Sequence, residues 1–290
     1  MKKWNLVFDA ALCTGCQNCV LAVKDEYVGN DFPGYSAEMP RHGHKWVDIR
    51  QRERGRFPAV DIAYLFHACQ HCDDAPCIKA ARDGAITKRK DGIVIIDPVK
   101  AKGQRQLLNA CPYGAIHWNE TLSLPQHWNF DAHLIDAGWA APRPVQSCPT
   151  GALRALKVED EEMRRIAQTE GLAPLDPAAA HGTRVHYRNL FRYNRVFVAG
   201  AVVGNDAGRE ACVPRAQVQL SRGSEAIGST LSDAFGDFRF DALAPASGSY
   251  RVEVTADGYR EQVLDFELAD SLWLGEIRLN RQESGEENQR

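Results

Sequence analysis

The chain has 290 residues, 44% of them hydrophobic, and a formal net charge of −3. That length suits about two domains of roughly 100–200 residues each, and so small a net charge gives no reason to expect nucleic acid or an anionic membrane as partner. No run of about 18 apolar residues occurs, so no transmembrane helix is expected, and the few apolar residues before Asp9 are too short for a secretory signal, which makes cytoplasmic residence the expectation.

In chain order, the first feature is Cys13-Thr14-Gly15-Cys16-Gln17-Asn18-Cys19, a Cys-x2-Cys-x2-Cys run with Val23 where a fourth cysteine would continue it. Cys69, Cys72 and Cys77 form a second run, Cys-x2-Cys-x4-Cys. A repeat of the form Cys-Pro-x-Gly-Ala-aliphatic then occurs at Cys111 to Ile116 and again at Cys148 to Leu153. A degraded third copy, Ala81 to Ile86, places Ala81 where Cys111 and Cys148 stand. Two triplets and two isolated Cys-Pro pairs give ligands for two [4Fe–4S] clusters with none left over, because four soft thiolates satisfy one cubane. A structural zinc site is the bland alternative, but zinc favours matched Cys pairs or Cys with His rather than a triplet with a remote Cys-Pro.

The missing cysteines are also informative. In a two-cluster ferredoxin each run gives three ligands to one cluster and its fourth to the neighbour. Val23 and Ala81 therefore mark two lost clusters, and before Cys111 the matching triplet positions hold Ala101, Gln104 and Leu107. Two modules, each keeping one cluster of an original pair, account for this pattern. His67 and His71 flank the second triplet; with four thiols available they are expected beside the cluster or on the surface rather than as ligands.

Residues 1–155 hold every candidate ligand. Residues 156–195 read as a connector: a helical stretch from Val158 that Gly171 suits as a terminus, then Pro174 and Pro177, then an extended Val185-His186-Tyr187-Arg188 segment expected to pack back. From 196 to 281, short alternating runs such as Gln217-Val218-Gln219-Leu220 and Tyr250-Arg251-Val252-Glu253-Val254, separated by turn residues, predict an antiparallel β-sandwich. The tail, 282–290, has no apolar side chain and is expected to be disordered. Cys212, a lone thiol in the sandwich, is expected to be buried and inert. The basic stretch from Arg41 to Arg56 reads first as a solvated face, with docking to a partner as the functional alternative. The chain has no Ser-His-Asp grouping in its sandwich and no nicotinamide or flavin fingerprint, so it reads as non-catalytic.

The run at 13–19, the Pro76-Cys77 pair, the stretch Asp91-Gly92-Ile93-Val94-Ile95-Ile96-Asp97 and Cys111-Pro112-Tyr113-Gly114-Ala115-Ile116 resemble the ferredoxin-like subunit of molybdopterin oxidoreductases in the dimethyl sulfoxide reductase superfamily. Ser232 to Phe238 and Ala256-Asp257-Gly258-Tyr259 resemble the turns of the prealbumin-like, or carboxypeptidase-regulatory-like, sandwich. This domain pairing, with Phe32-Pro33-Gly34-Tyr35, Arg41 to Trp46 and Tyr187-Arg188-Asn189-Leu190, is similar to the small subunits of the pyrogallol–phloroglucinol transhydroxylase and resorcinol-hydroxylase type. The expected fold is α+β: a ferredoxin-like iron–sulfur domain of two pseudo-repeated modules, followed by the sandwich. The expected clusters are Cys13, Cys16, Cys19 with Cys148, and Cys69, Cys72, Cys77 with Cys111. The resemblance implies an electron-transfer subunit in a heterodimer with a large catalytic chain, which alone carries the molybdopterin cofactor and acts on polyhydroxylated aromatics in anaerobic aromatic degradation, with a possible downstream electron acceptor. The alternatives are an assembly subunit whose clusters do not turn over, or the same subunit serving an unrelated molybdenum or tungsten enzyme.

Overall fold

The strand Lys3–Asp9 is apolar enough to be buried along nearly its whole length, and it forms the centre of a three-stranded sheet. On one side it pairs antiparallel with Leu153–Val158, Lys3 lying opposite Val158. On the other side it runs parallel to Val185–Arg188, Leu6 lying opposite Val185. In this computed structural model residues 1–206 and 209–282 are described, and they divide into two units: Met1–Gln51 with Tyr64–Tyr193, and Arg52–Ala63 with the chain from Asn194 onward. The tail expected to be disordered lies, apart from Gln282, outside the described residues. Among the described residues, no helix is long and apolar enough to cross a membrane.

Much of the expected connector, 156–195, is thus part of the first unit. Leu153–Val158 and Val185–Arg188 are the two outer strands of its sheet, and between them lies the helix Asp160–Glu170. That helix carries Asp160, Glu161 and Glu162 in its first turn, where carboxylates face the positive end of the helix dipole, and ends at Gly171 in the left-handed region. Trp4, Leu6 and Phe8 from the central strand pack with Val23, Tyr27, Trp46, Phe66 and Trp128 into the main core of this unit.

The Gly-Ala-aliphatic repeat is a repeat of structure. Gly84, Gly114 and Gly151 take φ of 65°, 63° and 68°, which is open to glycine and costly for other residues. The alanines that follow, Ala85, Ala115 and Ala152, are all buried. Each copy turns the chain into a strand: Ile86–Lys88, His117–Asn119 and Leu153–Val158. The first two strands close small hairpins with Val94–Ile96 and Leu124–Gln126.

The second unit contains two four-stranded sheets. In one, Glu225–Leu231, Gln217–Arg222, Gly248–Thr255 and Gln262–Leu268 lie side by side, all antiparallel. In the other, the long strand Val196–Asp206 pairs antiparallel with Arg209–Cys212 and Asp237–Leu243, and parallel with Leu272–Leu279. The alternation read in Gln217–Leu220 and Tyr250–Val254 places Val218, Leu220, Tyr250, Val252 and Val254 in one apolar core with Val198, Phe238 and Ile277. The single parallel pair departs from the all-antiparallel expectation. The chain leaves the first sheet at Leu268 and enters the second at Leu272, with three residues between them. Cys212 also departs from expectation: its strand pairs on one side with Val203, and the thiol residue is exposed rather than buried.

The basic stretch is not one solvated face. Arg54, in the hairpin tip that belongs to the second unit, has a fully buried side chain; its guanidinium meets Asp61 at 2.5 Å and Asp241 at 2.9 Å. It also lies 5.4 Å from the Phe197 ring centroid, with Arg239 at 3.9 Å from the same ring. A buried ion pair broken from one side leaves charge without compensation, at about 3–5 kcal/mol. Arg54→Ala should therefore destabilise the protein by about that amount in urea unfolding; a loss no larger than that of an exposed control such as Lys102→Ala would show that the ion pair contributes little.

Candidate metal centres

The first thiol triplet lies in the turn between the central strand and the helix Asn18–Tyr27. Asp9 shapes that turn, its carboxylate accepting from the Ala11 N–H at 2.9 Å and the Asn189 side chain at 2.8 Å. Gly15 has φ +69°, and a Cβ there would stand 2.4 Å from Tyr64 Cε1, so only glycine fits. Cys148 comes from far along the chain, just after the helix Arg143–Gln146. Antiparallel pairing of Leu153–Val158 with Lys3–Asp9 holds its loop against the triplet. Cys13 and Cys148 are half-buried, Cys16 is exposed and Cys19 is buried. Burial, with the charges of Cys13, Cys148 and Cys16, pushes the Cys19 thiol up to about 12. Cys13 is raised by burial and by Cys148 and Cys16. The four thiols are thus close enough to feel one another's charge.

The second triplet follows the hairpin strand Ala59–Ala68, with Cys77 on the short helix Pro76–Ala80, and Cys111 comes after the 3-10 helix Arg105–Ala110. Burial first, then Cys111 and Cys77, pushes Cys72 up to about 12. Cys77 rises to about 11 from burial and Cys111, and burial with Cys111, Cys77 and Cys72 raises Cys69 well above the usual thiol range. The structure therefore brings Cys13, Cys16, Cys19 and Cys148 together as one group, and Cys69, Cys72, Cys77 and Cys111 as another.

Backbone N–H groups point at the sulfurs. The His71 N–H lies 3.5 Å from Cys69 Sγ, and the Ala115 N–H, in the repeat, lies 3.5 Å from Cys111 Sγ. N–H groups of Gly15, Val20 and Ile78 likewise favour the thiolates of Cys13, Cys19 and Cys77. Such donors stabilise negative charge on sulfur. Among the described residues, no group of three or more His, Cys, Asp and Glu side chains is arranged to hold a single metal ion. The donor set is four soft thiols at each place, with N–H support, and that is chemistry suited to an iron–sulfur cubane.

His67 and His71 are buried, not on the surface. His67 Nε2 bonds the Tyr113 carbonyl at 2.6 Å, in the loop that carries Cys111. His71 Nδ1 accepts from the Val94 N–H at 3.1 Å, so its lone pair is already engaged, and burial lowers its pKa well below the usual range. Sequence reasoning missed Lys88. Its ammonium bonds the carbonyls of His71 at 2.9 Å and Cys72 at 2.8 Å and pairs with Asp73 at 2.9 Å. It holds a positive charge beside the second quartet, where it lowers the pKa of both Cys72 and Cys77. A lone lysine in a three-residue strand carries no sequence signal for that role. At the positions read as lost ligands, Ala81, Ala101 and Leu107 share one apolar cluster. The Gln104 side chain ties Arg82 at 3.0 Å and 3.2 Å, and Val23 is packed into the main core.

Residues 60–158 match the 4Fe-4S dicluster domain, and residues 198–272 match the carboxypeptidase regulatory-like domain. The first match contains the second quartet and Cys148, while Cys13, Cys16 and Cys19 precede it. The class defined is an iron–sulfur protein with a prealbumin-like sandwich. The pyrogallol hydroxytransferase small subunit of Pelobacter acidigallici is 41% identical over 262 residues, which are 89% of this chain and 92% of that protein. The chain belongs to the family of that small subunit. It is also similar to the arsenate respiratory reductase iron-sulfur subunit ArrB of Shewanella sp. strain ANA-3, at 34% identity over 48% of this chain and 55% of that one. The B subunit of the anaerobic dimethyl sulfoxide reductase of Escherichia coli K12 is 32% identical over 61% of this chain and 83% of its own length.

Gly15→Ala should cost about 1–3 kcal/mol, as an overpacked site does. Adding Tyr64→Leu should restore part of that loss in chemical denaturation, and a double variant no better than the single would show that the Tyr64 contact is not the cause.

Proposed function

We propose that this chain is an electron-transfer subunit holding two [4Fe–4S] clusters, one on Cys13, Cys16, Cys19 and Cys148 and one on Cys69, Cys72, Cys77 and Cys111. The observation that carries the reading is the convergence of each triplet on the one distant Cys-Pro that completes it, with backbone N–H groups turned toward the sulfurs. Clusters bound there supply one-electron chemistry. The protein's part is to place them, exclude bulk water from Cys19 and Cys72, and set their electrostatics. N–H donors and the Lys88 ammonium favour added negative charge, so the second site should hold an electron more readily than it would without Lys88.

The partner in this reading is a large chain carrying a molybdopterin cofactor and acting on polyhydroxylated aromatic rings. The named relatives support it: one is a pyrogallol hydroxytransferase small subunit and others are subunits of arsenate and dimethyl sulfoxide reductases. Two-electron chemistry in such a partner would draw on this chain one electron at a time. Burial keeps several of the thiols protonated before loading, so cluster insertion must release protons and is favoured as pH rises.

Iron analysis of the anaerobically purified protein should give about eight Fe per chain, and Cys16→Ser should reduce it to about four while sparing the second cluster's paramagnetic resonance signal. Wild-type iron content retained in that variant, or zinc in place of iron, would sink the assignment. Lys88→Met should shift the second cluster's midpoint potential negative and leave the first nearly unmoved in a redox titration; equal shifts at both would show that Lys88 acts on the fold and not on one site.

A further inference from the structure

A cavity of about 500 Å³ opens in the first unit, lined by no cysteine but touching the loop that carries Cys111 through Gly114. Its wall holds Lys24, Arg41, Lys45 and Arg50, against a single carboxylate, Asp48. Asp48 is taken by Lys45 at 3.0 Å. Lys24 reaches only the Arg41 carbonyl, at 3.1 Å, and no carboxylate pairs with Lys24, Arg41 or Arg50 among the described residues. Like charges gathered in a concavity repel one another more strongly than on an open surface, because low-dielectric walls focus the field. The crowding is felt within the wall: burial, and then the Lys45 charge, lowers the Lys24 pKa.

Four imidazoles also line the cavity, those of His42, His44, His67 and His117, and two of them, His44 and His117, each have a ring nitrogen without a partner. His44 Nε2 bonds the Trp118 carbonyl at 2.8 Å, which leaves its buried Nδ1 unpaired. His117, 5.5 Å away between ring centroids, has a buried and unpaired Nε2. Buried polar atoms are ordinarily satisfied, so two such atoms in the wall of a cationic cavity call for a ligand with polar atoms of its own. Arg41 and Arg50 are exposed, free to fold their long side chains over what enters, and Lys45 is exposed beside Asp48.

We propose that this cavity is a binding site for a small polyvalent oxyanion, an anion with several terminal oxygens of the pyrophosphate kind, held by Lys24, Arg41, Lys45 and Arg50 through charge-assisted hydrogen bonds. The site is separate from the thiol quartets and does not depend on what they bind. A consequence does rest on the cluster reading: negative charge beside the Cys111 loop disfavours adding an electron at the second quartet, so the bound anion lowers that cluster's potential.

The test is titration calorimetry of pyrophosphate into the purified, cluster-loaded complex at low ionic strength. One anion should bind per chain, and the rim double variant Arg41→Gln/Arg50→Gln should weaken binding at least tenfold, while the exposed control Lys102→Gln leaves it unchanged. Both arginines are exposed, so the fold survives their loss. The proposal is overturned by absence of saturable binding, by a stoichiometry well above one, or by equal affinity in the double variant. Binding by the chain alone but not by the complex would also overturn it, in favour of a cavity filled by the large subunit. In a parallel redox titration, pyrophosphate should move the second cluster's potential negative. Intact binding with an unmoved potential would remove the redox consequence and leave the site standing.

Discussion

Each thiol quartet can exist only if the polypeptide brings back a cysteine from far downstream, and one strand pairing makes that possible at the first site. Lys3–Asp9 ends just before Cys13, and Leu153–Val158 begins just after Cys148, so hydrogen bonding those strands antiparallel sets the triplet and its partner side by side. Val185–Arg188 then covers the other edge of Lys3–Asp9 and supplies Asn189, whose side chain steadies Asp9 at the start of the cysteine turn. Loop closure over so long a segment is entropically costly, and the buried sheet with its aromatic core is what offsets it. A cluster bound across the quartet would hold the same closure from the other side, so metal and fold stabilise each other.

The second site shares the turn of the Gly-Ala-aliphatic repeat, which aims the Ala115 N–H at Cys111, and adds the hairpin Ile86–Lys88/Val94–Ile96, which delivers Lys88 to the carbonyls of His71 and Cys72. The quartets therefore differ in their surroundings as well as in sequence. One has an exposed cysteine, Cys16; the other is packed among buried histidines and a fixed ammonium. Clusters held at two sites with such unlike surroundings would have unlike potentials.

At the positions read as lost ligands, side chains fill the space. Ala81, Ala101 and Leu107 close into an apolar cluster with Ile86, Val94 and Ile96, and Gln104 spends its amide on Arg82. Such a core stabilises the module without metal. The basic stretch from Arg41 to Arg56 was likewise divided by the fold. Arg54 went into a buried ion pair in the second unit, while Arg41, Lys45 and Arg50 remained around an open cationic cavity in the first.

The amino-acid sequence by itself determined the thiol spacing, the pseudo-repeat and the two kinds of domain. Thiol spacing, the Gly-Ala turn and period-2 alternation are local signals, imposed by short-range geometry and side-chain type, and they can be read residue by residue. Tertiary structure alone decided that the stretch read as a connector is mostly sheet and helix of the first unit, that Cys212 is exposed, that His67 and His71 are buried, and that Lys88 stands beside the second quartet. Each of these depends on which segments pack together across long separations: a strand's partner, a thiol's burial and a lysine's neighbours are properties of contacts that no local pattern encodes.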